Sequence, residues 1–472
     1  MVSAVVVGSG PNGLAAAITL AQRGIDVTVL EASDVIGGGL SSGERTVPGV
    51  LHDDCVATVP TALASSFVQS LNLESHGLEW TWPEVDLAHP IDGGRAGVLM
   101  RSLDETERLL GVDGRKWRRI FEPLADGFSE LVSDIFGPLI GVPRHPVRLA
   151  RFGLPTLIPA AVFVRRWRTD QARALFAGNA AHGWYPLSRP PTSGFALMFG
   201  ALGHRYGWPS VRGGVARLAD ALVSVLTGLG GKIETGHRVR SRAELSSADI
   251  VMLDLSPGAV VDIVGDALPA RIRRAYRRFR HGTAAFKLDL AVADGVPWTN
   301  QYCRSAGSVH VCGSFEEVAA AERATFAGRM PERPFIVVAQ QYLADPSRSA
   351  GNVHPLYAYA HVPHGYTGDA TEAILGQIER FAPGFRERIA GIYKQTPRDL
   401  HVHNANNVSG DINGGAMNMR QFVARPRLAI NPYWTGIPGY YLCSSSTPPG
   451  GGVHGMCGHN AALSALRYLG YG

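Results

Sequence analysis

The stretch from Val5 to Glu31 constrains the fold more than any other part of the chain. It begins in a β-branched run, Ala4 to Val7, which is typical of a buried parallel strand. The glycine-rich segment Gly8 to Gly13 follows with the spacing G-x-G-x-x-G, and apolar residues then recur at helical intervals. A second strand, Val27 to Leu30, leads directly into Glu31. The order strand, glycine loop, helix, strand and acid predicts a dinucleotide-binding βαβ unit.

Each part of this unit has a physical role in holding a dinucleotide. Gly8 allows a sharp turn, Gly10 lets the backbone approach a pyrophosphate, and Gly13 allows close packing of helix against strand. The helix N-terminus, with Pro11 and Asn12, faces the negative charge of the phosphates. Glu31 can accept hydrogen bonds from the ribose hydroxyls of adenosine. No arginine follows Glu31 to receive a 2′-phosphate, which argues against an NADP-type site.

Length and composition indicate a globular enzyme of two or three domains. The 472 residues are 45% hydrophobic and 18% charged, with a formal net charge of +5. The arginines are dispersed and are not interleaved with aromatic residues, so we predict no nucleic-acid surface. The five cysteines form no zinc-type spacing, and an odd, scattered set suits a reducing cytoplasm.

The start of the chain and its hydropathy also favour a cytoplasmic location. The first strand begins by residue 4, so we expect no targeting segment, and no apolar run approaches the roughly 20 residues that a transmembrane helix needs. We therefore predict a cytoplasmic protein and leave peripheral membrane contact open.

Immediately after the βαβ unit comes the sequence Ile36-Gly37-Gly38-Gly39. With it the chain resembles the phytoene-desaturase-like branch of the FAD-dependent oxidoreductases in the flavin amine-oxidase superfamily. The resemblance implies that Gly37 and Gly38 continue the contact with the pyrophosphate of FAD. Gly39 is assigned to the cofactor site as well, although many relatives have arginine at that position.

The C-terminal segment carries a second part of the resemblance. A strand ends at Cys443, and a loop rich in serine and proline leads into Gly450-Gly451-Gly452-Val453-His454-Gly455-Met456. This is similar to the flavin signature of the family, which places the start of the terminal helix under the flavin pyrimidine. There the helix would stabilise negative charge at N1 and O2. The resemblance implies cofactor contacts from Ser445, Gly450, Gly451, Gly452, Val453, His454 and Met456.

A segment in the middle of the chain resembles the part of the family that belongs to the FAD-binding domain. A Trp208-Pro209 turn and the pair Gly213-Gly214 resemble the segment that lies under the flavin in relatives, and Val239 matches the position whose backbone contacts adenine. We predict an α/β fold with a Rossmann-like FAD-binding domain of the GR2 type, built from discontinuous segments, and a mixed α+β substrate domain. The predicted boundaries are 1–69, 206–270 and 425–472 for the FAD domain, and 70–205 and 271–424 for the substrate domain.

Residues 139–168 differ from their surroundings. The segment is apolar, interrupted by prolines and rich in arginine, including Arg165 and Arg166. Three interpretations remain open: a lid at the mouth of the substrate cavity, a monotopic membrane patch, and an ordinary helix pair with solvated arginines.

Several polar residues are further candidates for a functional site. Asp53 and Cys55 belong to a region that lies near the flavin edge in the family, although an acid bound to its own loop and a small buried thiol explain them more simply. The sequence His401-Val402-His403 would place two histidines on one strand, but no third ligand stands nearby, so we predict no metal site.

The predicted reaction is removal of a hydride by flavin N5 from an apolar substrate, isoprenoid or lipid-like, with formation of a double bond. The electrons would leave to dioxygen, a quinone or a partner protein. We predict non-covalent FAD, because Cys443 and Cys457 lack the context of a flavin thioether. Catalytic candidates are His454 and Lys287.

Two other functions remain open. Lys287 suggests a flavin amine oxidase with a lysine near N5, but Asp289 lies on the same strand face and would pair with it. The other alternative is a flavin-bearing regulatory protein of low turnover. A disulfide reductase is disfavoured, because Cys55 stands alone and no second dinucleotide fingerprint occurs.

Overall fold

The computed structural model describes residues 2–138, 140, 142–245 and 247–471. Leu139, with which the predicted segment 139–168 begins, and Gly141 lie outside the described residues. The strands are β1 (Ser3–Val7), β2 (Asp26–Leu30), β3 (Ser42–Glu44), β4 (Leu51–Asp53), β5 (Trp80–Thr81), β6 (Val85–Ile91), β7 (Arg95–Leu99), β8 (Ser210–Val211), β9 (Lys232–Glu234), β10 (Ile250–Leu253), β11 (Ala284–Ala293), β12 (Ala306–Val311), β13 (Ile336–Ala339), β14 (Val353–Val362), β15 (Ile389–Gln395) and β16 (Tyr440–Leu442).

The α-helices occur between these strands, with one long run of helices between β7 and β8. They are α1 (Pro11–Ala21), α2 (Pro60–Ala64), α3 (Ser66–Gln69), α4 (Leu103–Leu110), α5 (Gly114–Asp126), α6 (Phe128–Ile135), α7 (Pro146–Thr156), α8 (Ala160–Phe163), α9 (Asp170–Ala181), α10 (Thr192–Tyr206), α11 (Ala216–Gly228), α12 (Pro257–Val264), α13 (Ala270–Arg277), α14 (Gln301–Ser305), α15 (Phe315–Phe326), α16 (Thr371–Phe381), α17 (Pro397–His403), α18 (Met419–Val423) and α19 (Met456–Tyr468).

A five-stranded parallel sheet contains the predicted βαβ unit. Its order is β16-β10-β1-β2-β9, with Val6 of the central strand beside Val29 and Met252. Helices α1, α11 and α19 contribute to the core on one face, and α12 and α13 cover the other. Both faces are therefore buried, which explains the continuous apolar runs of these strands. The predicted fold class, α/β with a Rossmann-like unit and a second mixed unit, is confirmed.

The second sheet is mixed and has seven strands in the order β15-β11-β14-β13-β12-β6-β7. All neighbouring pairs are antiparallel except β12 with β6. Alternate residues face opposite sides. One face packs against α16 in a separate core, whereas the other joins the main core and includes Val337, Ala339, Tyr357 and Tyr359. The strands of the two large sheets lie within the segments assigned to the two domains, and the exact domain boundaries stay a prediction.

The first and last helices cross closely. A Cβ on Gly458 of α19 would lie 1.7 Å from the carbonyl oxygen of Asn12 in α1, so only glycine allows this approach. The crossing brings the N-terminus of α19 beside the N-terminus of α1. As a result, glycine-rich segments separated by more than 400 residues meet at one place in the fold.

One local prediction was wrong. His401 and His403 lie on helix α17 and not on a strand. Residues two apart on a helix point in different directions, so the pair does not share a face. His403 Nε2 lies 3.2 Å from Ser41 Oγ.

Candidate functional site

A large cavity that opens to solvent lies between the two sheets, with about 300 Å³ accessible to the centre of a water-sized sphere. One end is lined by the glycine loop at the start of α1, and the middle by the turn before α19. The other end is aromatic. The lining residues include Gly10, Pro11, Asn12, Gly39, Cys55, His182, Trp184, Phe195, Phe199, Trp208, Asp254, Val337, Tyr357, Tyr359, Asn404, Ser445, Gly451, Gly452 and Val453.

The glycine loop is built for close approach. A Cβ on Gly13 would lie 2.0 Å from the carbonyl oxygen of Gly8, so the helix packs directly on the strand that precedes it. The N-cap residue of helix α1, Gly10, has no side chain to cap the helix, and Asn12 Oδ1 is buried without a partner in the described structure. A positive helix end that begins at a glycine suits a phosphate.

Ser9 connects the other predicted phosphate and ribose contacts. Its backbone N–H and its hydroxyl both donate to Glu31 Oε2, at 2.8 and 2.6 Å, and its hydroxyl oxygen accepts from the N–H of Gly37 at 3.1 Å. Glu31 Oε1 accepts from the N–H of Ser33. A Cβ on Gly38 would lie 3.1 Å from the Cα of Gly10, so the glycine turn packs against the glycine loop.

Asp254 follows β10 and lines the cavity beside this loop. Its Oδ2 accepts from the N–H of Gly13 at 2.9 Å, and the position of a Cβ on Gly10 is equally close to it. Burial raises the pKa of Asp254 to about 7; the Gly13 hydrogen bond opposes this shift and Glu31 adds to it. One sequence signal could have found this residue: it is an acid at the carboxyl end of a parallel strand, where ligands bind in such sheets.

The C-terminal turn places His454 inside the protein. Its Nδ1 accepts from the N–H of Met456 at 3.1 Å, and its ring lies 5.0 Å from that of Phe136. Its carbonyl oxygen accepts from Ser65 Oγ at 2.6 Å. Burial lowers the pKa of His454 to about 4, so the imidazole is neutral at pH 7. These contacts satisfy one backbone N–H at the start of α19 and hold the turn in place.

The aromatic end is formed by side chains from several elements. Tyr357 and Tyr359 project from one face of β14, with their rings 5.8 Å apart at 82°. Trp184 stacks on His361 with 3.5 Å between centroids and is parallel to Tyr359 at 5.7 Å. The backbone of Trp184 has a φ of 49°, which is rare for a bulky residue and marks a strained position beside the cavity.

Lys287 does not line this cavity. Its ammonium lies 2.5 Å from Asp289 Oδ2 and 3.3 Å from Gln395 Oε1, with 1% of its surface exposed. It also lies 4.6 Å from the ring centroid of Tyr357. The ion pair expected from the strand pattern is confirmed, and it accounts for the lysine in an apolar strand.

Asp53 belongs to a buried charge network. Its carboxylate accepts from Arg348 at 2.5 Å, from Ser42 Oγ at 2.7 Å and from the N–H of Val215 at 2.8 Å. Arg348 also contacts Asp345, whose carboxylate accepts from the N–H of Gly213. The network ties β4 to the start of α11 and to the loop before β14. Asp53 therefore binds Ser42 of its own hairpin, as the simpler interpretation expects, and also residues that lie far away in the sequence.

Cys55, in contrast, does reach the cavity. Burial raises the pKa of its thiol to about 12, so it remains protonated at neutral pH.

Among the described residues, no group of three or more His, Cys, Asp or Glu side chains is placed to hold a metal ion.

The predicted cofactor residues divide into two groups. Gly10, Pro11, Asn12, Gly39, Ser445, Gly451, Gly452 and Val453 line the cavity. The others are not among the lining residues: Gly8, Gly13, Glu31, Gly37, Gly38, Val239, Gly450, His454 and Met456. Val239 is buried in the core that covers the outer face of the parallel sheet.

Sequence reasoning missed most of the aromatic end and the asparagines of the loop after α17. Asn406 accepts from the N–H of Ser256 at 2.8 Å and donates to the carbonyl oxygen of Asp254 at 2.8 Å, so it fixes the end of β10. The aromatic residues come from separate elements that have no common spacing. No pattern in the sequence could have brought them together.

Some described residues of the segment 139–168 line a different cavity, together with residues from other elements. That cavity, of about 310 Å³ by the same measure, is bordered by Arg119, Arg148, Arg151, Phe163 and Arg166. None of the described residues between 139 and 168 lines the main cavity, so the structure gives no support for a lid over that cavity. The segment does expose apolar side chains: Val142, Val147, Leu154, Leu157 and Val162.

No single helix in the described part of the chain is long and apolar enough to cross a bilayer. A bent pair, Pro146–Thr156 with Ala160–Arg166 at 90°, passes the same test by length and composition alone.

Comparison with known proteins agrees with this architecture. Residues 6–71 match the model of an NAD(P)-binding Rossmann-like domain. A rat protein named pyridine nucleotide-disulfide oxidoreductase domain-containing protein 2 is 25% identical over 99% of this chain and 93% of its own. Hydroxyneurosporene desaturase of Cereibacter sphaeroides is 28% identical over 50% of this chain and 49% of its own.

A solved structure of putrescine oxidase bound to putrescine shares the fold. Its TM-score is 0.62 at 16% identity, and the match covers 99% of both chains. Together the comparisons confirm the resemblance to phytoene-desaturase-like oxidoreductases that the glycine-rich segments predicted. They also support a dinucleotide cofactor.

Proposed function

We propose that this phytoene-desaturase-like oxidoreductase holds one FAD non-covalently and uses it to dehydrogenate an apolar, isoprenoid- or lipid-like molecule. The observation that carries the proposal is the continuity of the main cavity. It runs from Gly10 at the start of α1, past the turn Gly451 to Val453, to the aromatic wall of Trp184 and Tyr359. A dinucleotide at one end would therefore share its space with an apolar molecule at the other.

The residues around the glycine loop fit FAD. The N-terminus of α1 lines this cavity, and α19 begins three residues after Val453, the last lining residue of the C-terminal turn. Each helix N-terminus offers positive potential to a negative group. Oε2 of Glu31 already accepts two hydrogen bonds, both from Ser9, but Oε1 accepts one, from the N–H of Ser33, and its second lone pair can accept a ribose hydroxyl.

When bound, FAD would supply the hydride acceptor, and the electrons would leave to dioxygen, a quinone or a partner protein. The protein would do the rest. Its aromatic wall would orient the substrate and exclude water, and the start of α19 would stabilise negative charge. His454 is engaged by the N–H of Met456, so we assign it to the stability of the turn and not to proton transfer.

An amine oxidase is the second candidate, because Tyr357, Tyr359 and Trp184 surround the apolar end with aromatic rings. Aromatic rings can hold an ammonium group by cation–π attraction, and a carboxylate beside them would strengthen its binding. The acidic residue that lines the described cavity is Asp254, which lies at the glycine-loop end. This placement favours an uncharged, apolar substrate.

The first test concerns the cofactor. Acid precipitation should release a yellow supernatant containing FAD, and colour that stays in the pellet would contradict non-covalent binding. Gly10→Ala should lower the affinity for FAD at least about tenfold, because its methyl group would enter the lining beside Asp254. Gly258→Ala is the matched control, since a Cβ there meets no atom within 4 Å.

The second test concerns the reaction. Under anaerobic conditions a panel of polyenes and unsaturated lipids should bleach the flavin absorbance, and a panel of primary amines should not. Bleaching by amines alone would replace the proposed dehydrogenation with amine oxidation.

A further inference from the structure

His182 is the imidazole that reaches the aromatic end of the main cavity. It follows directly after α9, and its side chain is partly exposed to the cavity that it lines. Its ring contacts those of Phe199, Trp208 and His310, with centroids 4.6, 5.7 and 4.8 Å away. A polar ring in such apolar surroundings needs hydrogen-bond partners for both of its nitrogens.

The first partner is His310. The Nε2 atoms of the two imidazoles lie 2.9 Å apart, so one of them donates and the other accepts. Burial, together with the neighbouring imidazoles, lowers the pKa of His310 well below its ordinary value, and burial lowers that of His182 to about 3. Both rings are therefore neutral at pH 7, and each carries one N–H.

The surroundings of His310 decide which ring donates. His310 is fully buried, and its Nδ1 has no hydrogen-bond partner in the described structure. His89 is close, but its Nε2 donates to the carbonyl oxygen of Gly313 at 2.8 Å, and its own Nδ1 also lacks a partner. A proton on His310 Nδ1 would be a buried N–H without an acceptor, which proteins avoid. The proton of His310 is therefore on Nε2, and it is donated to His182.

The packing around Gly178 confirms how closely these rings approach. A Cβ on Gly178 would lie 2.5 Å from His310 Nδ1 and 2.6 Å from His89 Nδ1. The glycine on α9 thus leaves room for two imidazoles on the sheet beneath it. The same helix then ends at His182, so the position of this residue over His310 is fixed by α9.

Because His182 Nε2 accepts, the single proton of its neutral ring is on Nδ1. No hydrogen bond to this atom is present among the described residues, and the exposed part of the ring borders the cavity. The ring therefore offers an N–H donor to whatever occupies the aromatic end. An ammonium group could not accept this hydrogen bond, whereas a carbonyl, hydroxyl or ether oxygen could.

We infer that His182 is a specificity-determining residue, which donates its Nδ1–H to an oxygen atom of the substrate, and that His310 fixes the tautomer that makes this possible. The substrate class is then an apolar chain or ring that bears an acceptor oxygen, and not a pure hydrocarbon or an ammonium ion. The inference rests on the proposed function for the statement that the cavity takes an organic substrate. The tautomer itself does not depend on that function.

The tautomer can be measured without any substrate. In the protein as purified, with histidine ring nitrogens labelled with ¹⁵N, two-bond ¹H–¹⁵N correlation spectra distinguish Nδ1–H, Nε2–H and the imidazolium. The His182 signals are those missing from His182→Gln. At pH 7 we expect the Nδ1–H form for His182. An Nε2–H form or an imidazolium would overturn the inference.

Binding of two matched probes tests the specificity. Farnesal and α-farnesene have similar isoprenoid chains, but only farnesal has an acceptor oxygen. Calorimetry should show about tenfold tighter binding of farnesal to the wild-type protein, because an unpaired donor in an apolar cavity is costly. The preference should fall below about twofold in His182→Phe and should largely survive in His182→Gln, whose side chain keeps an N–H donor.

Tyr359→Phe is the matched control, since it removes a hydroxyl from the same wall of the cavity, and it should retain the preference. Equal binding of the probes by the wild type, or a preference that survives His182→Phe but not Tyr359→Phe, would overturn the inference. These readouts involve no turnover, so binding of farnesal without flavin reduction would count against the proposed reaction and not against the role of His182.

Discussion

Replacing Asp254 with asparagine should make the protein more stable at alkaline pH. The carboxyl group lies in the glycine-loop end of the cavity, and its ordinary pKa of 3.8 is raised to about 7 by burial. Asparagine has nearly the same shape and can still accept the hydrogen bond from the N–H of Gly13, but it cannot ionise. The substitution therefore removes a buried charge and leaves the contact in place.

The sign and size of the effect follow from proton linkage. Between pH 3.8 and pH 7 the folded protein holds a proton on Asp254 that the unfolded chain has released. Wild-type stability therefore falls as the pH rises through this window, by about 1.4 kcal/mol per pH unit. From pH 5 to pH 8.5 the variant should gain about 3 kcal/mol relative to the wild type. With an unfolding entropy of about 2.1 cal/mol/K per residue, this corresponds to a gain of about 3 °C in Tm.

The assay is thermal unfolding of cofactor-free protein at pH 5 and pH 8.5, followed by circular dichroism. Asp262→Asn is the matched control, because Asp262 is an exposed acid on α12 nearby in sequence. Its difference in Tm from the wild type should be the same at both pH values. The quantity compared is each variant's Tm minus the Tm of the wild type. If this difference increases no more from pH 5 to pH 8.5 for Asp254→Asn than for Asp262→Asn, Asp254 does not ionise near neutral pH, and the reasoning is refuted.

Three further predictions concern other parts of the molecule. Arg348→Met should lower the free energy of unfolding by about 3–5 kcal/mol in denaturant titrations, because it leaves Asp53 buried without its cation, whereas Arg217→Met on the surface should cost less than about 1 kcal/mol. Flotation with anionic liposomes should show salt-sensitive binding that weakens when Arg165 and Arg166 become glutamate, and an absence of binding at low salt would contradict membrane contact by this segment. Anaerobic mixing with NADH or NADPH should not bleach the flavin rapidly, since the single dinucleotide fingerprint is assigned to FAD; rapid bleaching at micromolar concentration would make the protein a nicotinamide-driven reductase.

Lys287 has a partner that the sequence alone could predict, whereas the surroundings of Asp53 and Asp254 could not be predicted from it. The pairing of Lys287 with Asp289 follows from the two-residue period of a strand, and the structure has it. The partner of Asp53, in contrast, is Arg348, which lies 295 residues away in the sequence. Likewise, nothing in the local sequence around Asp254 shows that burial would raise its pKa. Long-range pairing and burial depend on how the elements pack, and a single sequence does not encode that packing as a local pattern.

By itself, the sequence determined the nucleotide-binding end of this protein. Glycines at Gly8, Gly10 and Gly13 between two β-branched strands leave the backbone few choices, because their spacing is dictated by short-range sterics. The substrate end was decided only by the tertiary structure. There, His182 from one helix meets His310 from one strand and Tyr359 from another, so the chemistry of the cavity wall arises from contacts between elements that are far apart in the chain.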